Sequence, residues 1–434
     1  MFEKTIELVK NRIIQGTYVV TIGITIGSFF NYLLQFLLAR FLSVSDYGVF
    51  NALNSLYIIL SVPIVALTTA LIKKVATLKA EDKESVLNSL YVKGSTLSLL
   101  IGIFVFLLIV GFQDFFLNFF NIDPDSRILL LFSLYAGISF LLIWPSAFLQ
   151  GLLRYKQFSL YNILSGLFRF IFGFTFVYLG LSVNGVFLGF SIYVLLLYLI
   201  FSYVVQGGIR FDFTENIRPF IREILSLSLI SFFISVGLSL LHNIDVMLVR
   251  HLLDAESSGH YSAIVTIGKV FLFGAGFVTI VMYPQIANLF VQGKNFMPKF
   301  INFLILQLVL VSAGWAFFYI FDDLIVMFLF GERFLAAVPY VFHFSIFVGF
   351  YILINFLIMF LFGIGDVVAW VFLLAGVIVQ YLLIMNLGDS IQAIIYINST
   401  ISGVILFIIS IYCVLYTYRV VKDNNAKITS VNEL

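Results

Sequence analysis

The sequence predicts an all-α integral membrane protein, with about twelve transmembrane helices in two six-helix lobes related by a parallel pseudo-two-fold axis. Three observations predict it. Of 434 residues, 62% are hydrophobic and 11% charged, with a mean hydropathy of +1.11. That leaves too little polar surface for a water-soluble exterior. Apolar runs of about 20 residues, the length that crosses a hydrocarbon core, recur along the whole chain. The second half also repeats the first in weak but ordered matches.

Residues 1–16 carry Lys4, Lys10 and Arg12 mixed with Glu3 and Glu7, and Phe2, Ile6, Val9 and Ile13 recur at helical spacing. This suits an interfacial amphipathic helix. The apolar run that follows is too long for a signal-peptide core and is expected to be retained. The first lobe, 17–205, is expected to hold spans at 17–41, 48–72, 94–113, 127–149, 159–180 and 185–205. A linker over 206–223 carries Arg210, Arg218, Pro219 and Arg222. The second lobe, 224–418, follows with spans at 224–249, 259–284, 300–321, 337–361, 367–386 and 390–418, and then a tail over 419–434. Pro63, Pro145 and Pro284 mark expected kinks. The lone Cys413 permits no internal disulfide.

Placing the N-terminus in the cytoplasm puts 18 of the 24 basic residues on that side. Arg40, Arg127, Arg250 and Arg333 alone fall on the other. This positive-inside bias orients the chain in the cytoplasmic membrane with both termini inside. Six spans per half means that both halves cross in the same sense, as parallel repeats do, with a site expected at their interface.

The repeat is read by shifting the chain on itself. A shift of 210 superimposes Thr21 on Ser231, Thr25 on Ser235, Tyr32 on His242, Gln35 on Asp245 and Arg40 on Arg250. A shift of 211 carries Gly48 onto Gly259 and Lys83 onto Lys294, and 212 carries Phe148-Leu149 and Gly151 onto Phe360-Leu361 and Gly363. A nearly constant shift in constant order indicates an internal duplication.

Two basic residues lie within spans. Arg169 shares a helical line with Asn162 and Gly173, and Lys269 with Ser262 and Thr266. A charge at the centre of a membrane helix costs about 2.5–3.5 kcal/mol on insertion scales. Each cation is read either as internally paired or as part of an anion site in a wet cavity. The scarcity of acids inside spans favours the second, since Asp245 is the one exception and lies near a span end. Thr21, Thr25, Ser28, Tyr32 and Gln35 form a polar stripe on the first span; Ser231 and Ser235, followed by His242 and Asp245, form one on the seventh. Such stripes serve either helix packing or a cavity lining. His242 and Asp245, three apart, are candidates for ion coupling or for a local hydrogen bond. The expected cavity residues are therefore Arg169, Lys269, these stripes, Asn162 and Thr266.

No phosphate-binding glycine loop, metal cluster or nucleophile with its base is found, and no connecting segment could form a catalytic domain. The sequence thus reads as a non-enzyme with no cofactor and no nucleic-acid partner.

Several motifs then carry a resemblance: Leu38-Ala39-Arg40-Phe41-Leu42 with Asp46-Tyr47-Gly48-Val49-Phe50, and Phe148-Leu149-Gln150-Gly151 with Arg154-Tyr155-Lys156. Further along come Asp245-Val246-Met247-Leu248-Val249-Arg250, Gly259 with Tyr261, Pro284, and Phe330-Gly331-Glu332-Arg333-Phe334. In this order they resemble the polysaccharide flippases of the multidrug/oligosaccharidyl-lipid/polysaccharide exporter superfamily. The resemblance implies two lobes meeting in a V, alternating access, and a polyprenyl-diphosphate-linked oligosaccharide as cargo. It implies a place beside membrane lipids, a polysaccharide polymerase and glycosyltransferases. Twelve spans rather than fourteen argue against the peptidoglycan-precursor branch. The alternative reading is a multidrug or small-solute antiporter of the same superfamily.

Overall fold

The computed structural model describes residues 2–207 and 215–432, the side chains of 2–17, 227, 421 and 423–432 excepted. Arg210, and the side chains of the interfacial helix expected over 1–16 and of most of the tail expected over 419–434, lie outside the described residues; the backbone of 2–16 runs on into the first expected span as one helix, with no break at residue 16. What is described is helical apart from short connections, as the composition requires of a chain that must satisfy its backbone inside a membrane.

Helix α1 (Phe2–Phe41) is followed by α2 (Val44–Leu60) and α3 (Val62–Ala80). Ser43 caps α2 by accepting the Asp46 N–H at 3.0 Å. The break between α2 and α3 falls at Ser61, with Pro63 in the first turn of α3, where its missing N–H is not needed. Next come α4 (Glu84–Gly111), the short α5 (Gln113–Phe119) and α6 (Ile128–Ser139). A tight turn over Phe140–Leu142 leads into α7 (Ile143–Gly151), just ahead of Pro145. Helices α8 (Tyr155–Phe176) and α9 (Ser182–Gln206) lie side by side, joined through Gly180 at φ 88°. Helix α10 (Arg218–Leu252) starts inside the segment read as a linker. It is followed by α11 (Ala255–Val291), which runs through Pro284 unbroken, α12 (Met297–Leu329), α13 (Val338–Gly363), α14 (Trp370–Leu387) and α15 (Ile391–Asn432).

Among the described residues, eleven helical segments are long and apolar enough to cross a membrane. One of them, Tyr155–Gln206, is 52 residues long and consists of α8 and α9, which returns the twelve expected spans. Several helices outrun those spans. Helix α3 continues to Ala80 although the hydropathy ends near residue 72, because Lys73, Lys74 and Lys79 suit a helix in water as well as an apolar run suits one in lipid.

The chain divides into two compact units, Met1–Phe232 and Phe233–Leu434. In the first, α8 packs on α1 and α9. A Cβ on Gly166 would lie 2.2 Å from the Gly27 carbonyl oxygen, and one on Gly27 would lie 2.4 Å from that of Asn162. The two backbones therefore touch along a glycine seam, as small residues allow in membranes. The Ser159 hydroxyl donates across it to the Val19 carbonyl at 2.7 Å. The segment entering α10 is tied to α3 and α4: Lys74 pairs with Glu223 at 2.6 Å, and Lys93 donates to the Glu215 carbonyl at 2.5 Å. In the second unit α13 is the central helix, lying against α11, α12 and α15.

The duplication extends to backbone geometry. At the end of α3 the N–H groups of Glu81, Asp82 and Lys83 donate to Thr77, Lys79 and Leu78; at the end of α11 those of Gln292, Gly293 and Lys294 donate to Asn288, Phe290 and Leu289. Every partner is displaced by 211. After α7, Leu152, Leu153 and Arg154 donate to Phe148, Gln150 and Leu149, and after α13, Ile364, Gly365 and Asp366 donate to Phe360, Phe362 and Leu361, every partner displaced by 212. The cap repeats as well. Asp254 accepts the N–H groups of Glu256 and Ser257, as Ser43 accepts that of Asp46. The Ser257 hydroxyl, bonded at 2.6 Å, and its N–H hold the Asp254 carboxyl below the usual range.

Candidate substrate and coupling sites

In the first unit the feature that stands out is Arg169. It is half-buried on α8, with its guanidinium 4.4 Å from the Phe190 ring centre on α9 and Nη2 donating to Asn54 Oδ1 on α2 at 3.2 Å. Tyr57, Tyr135 and Tyr193 lie around it. Its Nε is buried without a hydrogen-bond partner, and it forms no ion pair among the described residues. A guanidinium carries five N–H donors; stacking on a ring face leaves its edge for an oxyanion.

The other expected residues of this unit do not converge on it. Thr21 and Thr25 are exposed, and Ser28, Tyr32 and Gln35 are half-buried. Their stripe falls on the side of α1 opposite the glycine seam. The Asn162 amide is taken up by its own helix, donating to the Phe158 carbonyl at 2.8 Å.

The second unit holds a polar cluster that the sequence showed only in part. Asp245 on α10 is 0% exposed. Its Oδ2 accepts the Tyr261 hydroxyl of α11 at 2.5 Å and the Asn398 amide of α15 at 2.8 Å, while Oδ1 accepts its neighbour's N–H, Val246, at 2.9 Å. Gln380 of α14 donates to Asn398 Oδ1 at 2.8 Å. Donors from three helices thus point in relay at one carboxylate, which is how a buried carboxylate is tolerated.

Lys269 is half-buried and within electrostatic reach of both Asp245 and His242. This corrects the expectation that the two intramembrane cations lack a counter-ion: Lys269 has a carboxylate in reach, and among the described residues Arg169 has none at ion-pair distance. His242 and Asp245 are not hydrogen-bonded to each other. Both ring nitrogens of His242 are buried without a hydrogen-bond partner, and the ring stacks on Tyr351 at 4.8 Å. The local bond drawn between them fails because Asp245 is already occupied by Tyr261 and Asn398.

Thr266 departs from the cavity reading too. It is buried, and its hydroxyl donates to the Ser262 carbonyl at 2.9 Å, one turn back. Ser231 and Ser235 are half-buried on α10. Arg250, expected on an exterior segment, is buried. Among the described residues no three metal-ligating side chains converge. Asn398, Gln380 and Asn54 were missed, although an amide in the middle of an apolar run is the same kind of signal that singled out the cations; Tyr261 was named within a motif and not as a site residue.

A profile of the family described as polysaccharide biosynthesis protein matches residues 37–339. No curated protein matches the sequence. Among solved structures the chain is similar to the lipid II flippase MurJ in an inward closed conformation, at 15% identity and a TM-score of 0.69, covering 92% of this chain and 87% of that one. It is similar to an inward-facing multidrug resistance MATE family transporter of the MOP superfamily, at 12% identity and a TM-score of 0.67, covering 93% and 99%. The Vibrio cholerae MATE transporter VcmN in its bent form is a third, at 13% identity and 0.58, covering 96% and 98%. At these identities the likeness is one of fold.

Proposed function

We propose, from the premise that this chain belongs to the family of polysaccharide biosynthesis proteins, that it is a flippase carrying polyprenyl-diphosphate-linked oligosaccharide repeat units across the cytoplasmic membrane. The family match over 37–339, in a fold shared with a lipid II flippase, is the observation that carries this reading. Arg169 supports it. A diphosphate cannot cross hydrocarbon alone, since isolated charges cost tens of kcal/mol there by Born estimates. A stacked guanidinium with donors to spare is suited to replacing its lost water. Alternating access is the mechanism in keeping with a duplicated transporter fold. The protein would act without chemistry of its own, beside the glycosyltransferases that build the repeat unit and the polymerase that consumes it.

Asp245 favours a second reading, a multidrug or small-solute antiporter, because a buried carboxylate can exchange a proton or a metal cation for an organic cation. One experiment separates the two. A strain lacking the protein should accumulate lipid-linked repeat units on the cytoplasmic leaflet and lose surface polysaccharide. Normal surface glycan with altered sensitivity to cationic dyes would assign the antiporter. The proposed orientation is tested by single cysteines placed after Cys413→Ala. Positions 123 and 256, both exposed, should react with an impermeant thiol reagent in whole cells while position 84 stays protected. The opposite pattern would invert the topology.

A further inference from the structure

Where α11 passes into α12, a groove of about 470 Å³ opens between the two helices. Leu289 comes from α11, Asn295 from the connecting turn, and Lys299, Asn302, Phe303 and Leu306 from the first turns of α12. Positions 299, 302, 303 and 306 share one helical face. Entering the span, that face passes from ammonium to amide to phenyl to isobutyl, the polarity order of an amphiphile read from head to tail.

The charge of the groove is unopposed. Among the described residues Lys299 makes no ion pair and no side-chain hydrogen bond. Asn295 Oδ1 accepts the Met297 N–H at 3.0 Å, leaving that side chain its amide donors. The sequence has no acidic residue between Glu256 and Asp322. Asp366, beyond the end of α13, is buried and already accepts the Tyr412 hydroxyl and the N–H groups of Val368 and Ala369. Leu306, at the inner end of the groove face, is an exposed apolar side chain, as are Ile301, Ile305 and Leu308 on another face of α12, the kind of surface that lipid chains cover in a membrane.

We propose that this groove binds an anionic phospholipid, its phosphate held by Lys299 and the Asn295 and Asn302 amides and its chains lying along Phe303 and Leu306. Charge complementarity selects the headgroup, and the apolar lower wall selects a lipid over a free anion. The site is independent of the cargo, so it stands or falls apart from the flippase reading.

The test uses the purified full-length chain in detergent and native mass spectrometry, with phosphatidylglycerol or phosphatidylcholine added and inorganic phosphate as competitor. Phosphatidylglycerol should be retained in preference to phosphatidylcholine. Lys299→Gln should lower phosphatidylglycerol retention about five-fold, the weight of one basic residue at a charged headgroup, and Lys299→Arg should restore it. Lys73→Gln, which removes an exposed lysine elsewhere, should change nothing. Equal retention of the two lipids, or unchanged phosphatidylglycerol retention in Lys299→Gln, would overturn the proposal. Complete displacement of the lipid by inorganic phosphate would overturn it in favour of a plain anion site.

Discussion

Replacing Arg169 with Ala should weaken cargo binding by about two orders of magnitude while leaving most of the fold intact. A phosphate charge about 5 Å from the guanidinium, in an effective dielectric of about 20, is attracted by about 3 kcal/mol. That corresponds to a loss of roughly 150-fold in affinity. On the stability side, the variant gives up one charged hydrogen bond, to Asn54 at 3.2 Å, and the stacking on Phe190 at 4.4 Å. These contribute about 1.5–3 and about 1 kcal/mol. Removing a half-buried charge offsets part of that loss, so thermal stability should fall by only about 1–3 kcal/mol. Lys at 169 keeps the charge without the planar edge and should retain part of the binding. Asn54→Leu keeps the charge and removes its anchor, so it should weaken binding less than the Ala change. The assay pairs thermal unfolding of each purified variant with binding of a lipid-linked oligosaccharide in nanodiscs. Arg169→Ala that unfolds several degrees earlier yet binds cargo like the native protein would make Arg169 a strut between α2, α8 and α9, and the anionic-cargo argument would lose its physical support.

Asp245→Asn should destabilise the second unit by about 1–3 kcal/mol, because its single acceptor oxygen can face either the Tyr261 hydroxyl and Asn398 amide or the Val246 N–H, and its NH2 then meets a donor on the other side. If Asp245 handles a coupling ion, the same variant should make transport indifferent to pH and sodium, measured as uptake rates in proteoliposomes. Gly166→Ala should lower the thermal midpoint. Its Cβ would lie 2.2 Å from a backbone oxygen, and overpacking of about 1–3 kcal/mol outweighs the helix-propensity gain of about 1. Gly111→Ala, with nothing within 4 Å, should be neutral or stabilising in the same measurement. Asp254→Ala should cost about 1 kcal/mol at neutral pH as a lost cap. Because the folded carboxyl titrates below its ordinary value, its contribution is complete above about pH 4 and disappears as the pH falls further. Wild type and variant should therefore converge in acid unfolding.

The helices were legible because membrane insertion rests on a long-range property, about 20 apolar residues in a row, that survives at the level of composition. Their ends were not, since α3 and α11 continue as helices into water, where hydropathy no longer marks them. The duplication was legible, and its register recurs in the hydrogen bonds closing α3 and α11. The candidate site was legible only where a single residue type is rare. Arg169 and Lys269 stood out for that reason. The side-chain partners of Asp245 come from α11 and α15, with α14 one bond further on through Gln380, and a stripe drawn on one helix cannot show which others face it. Thr266 misled for a local reason: a threonine hydroxyl in a helix can satisfy itself on the carbonyl one turn back.

The turns that close α3 and α7 place Asp82 at φ 53° and Leu153 at φ 55°, and their counterparts after α11 and α13 are Gly293 at φ 66° and Gly365 at φ 88°. The path of the chain was inherited in both copies, and the residue that travels it was not. A side chain with a Cβ in this region carries roughly 1–2 kcal/mol of strain, which glycine lacks. Glycine frees the second copy of a strain that the first holds in place by its bonded turn. Each half is therefore a reference for repairing the other: transplanting glycine from the second copy to position 153 should relieve strain at a turn whose shape is already fixed, and moving leucine to position 365 should introduce it.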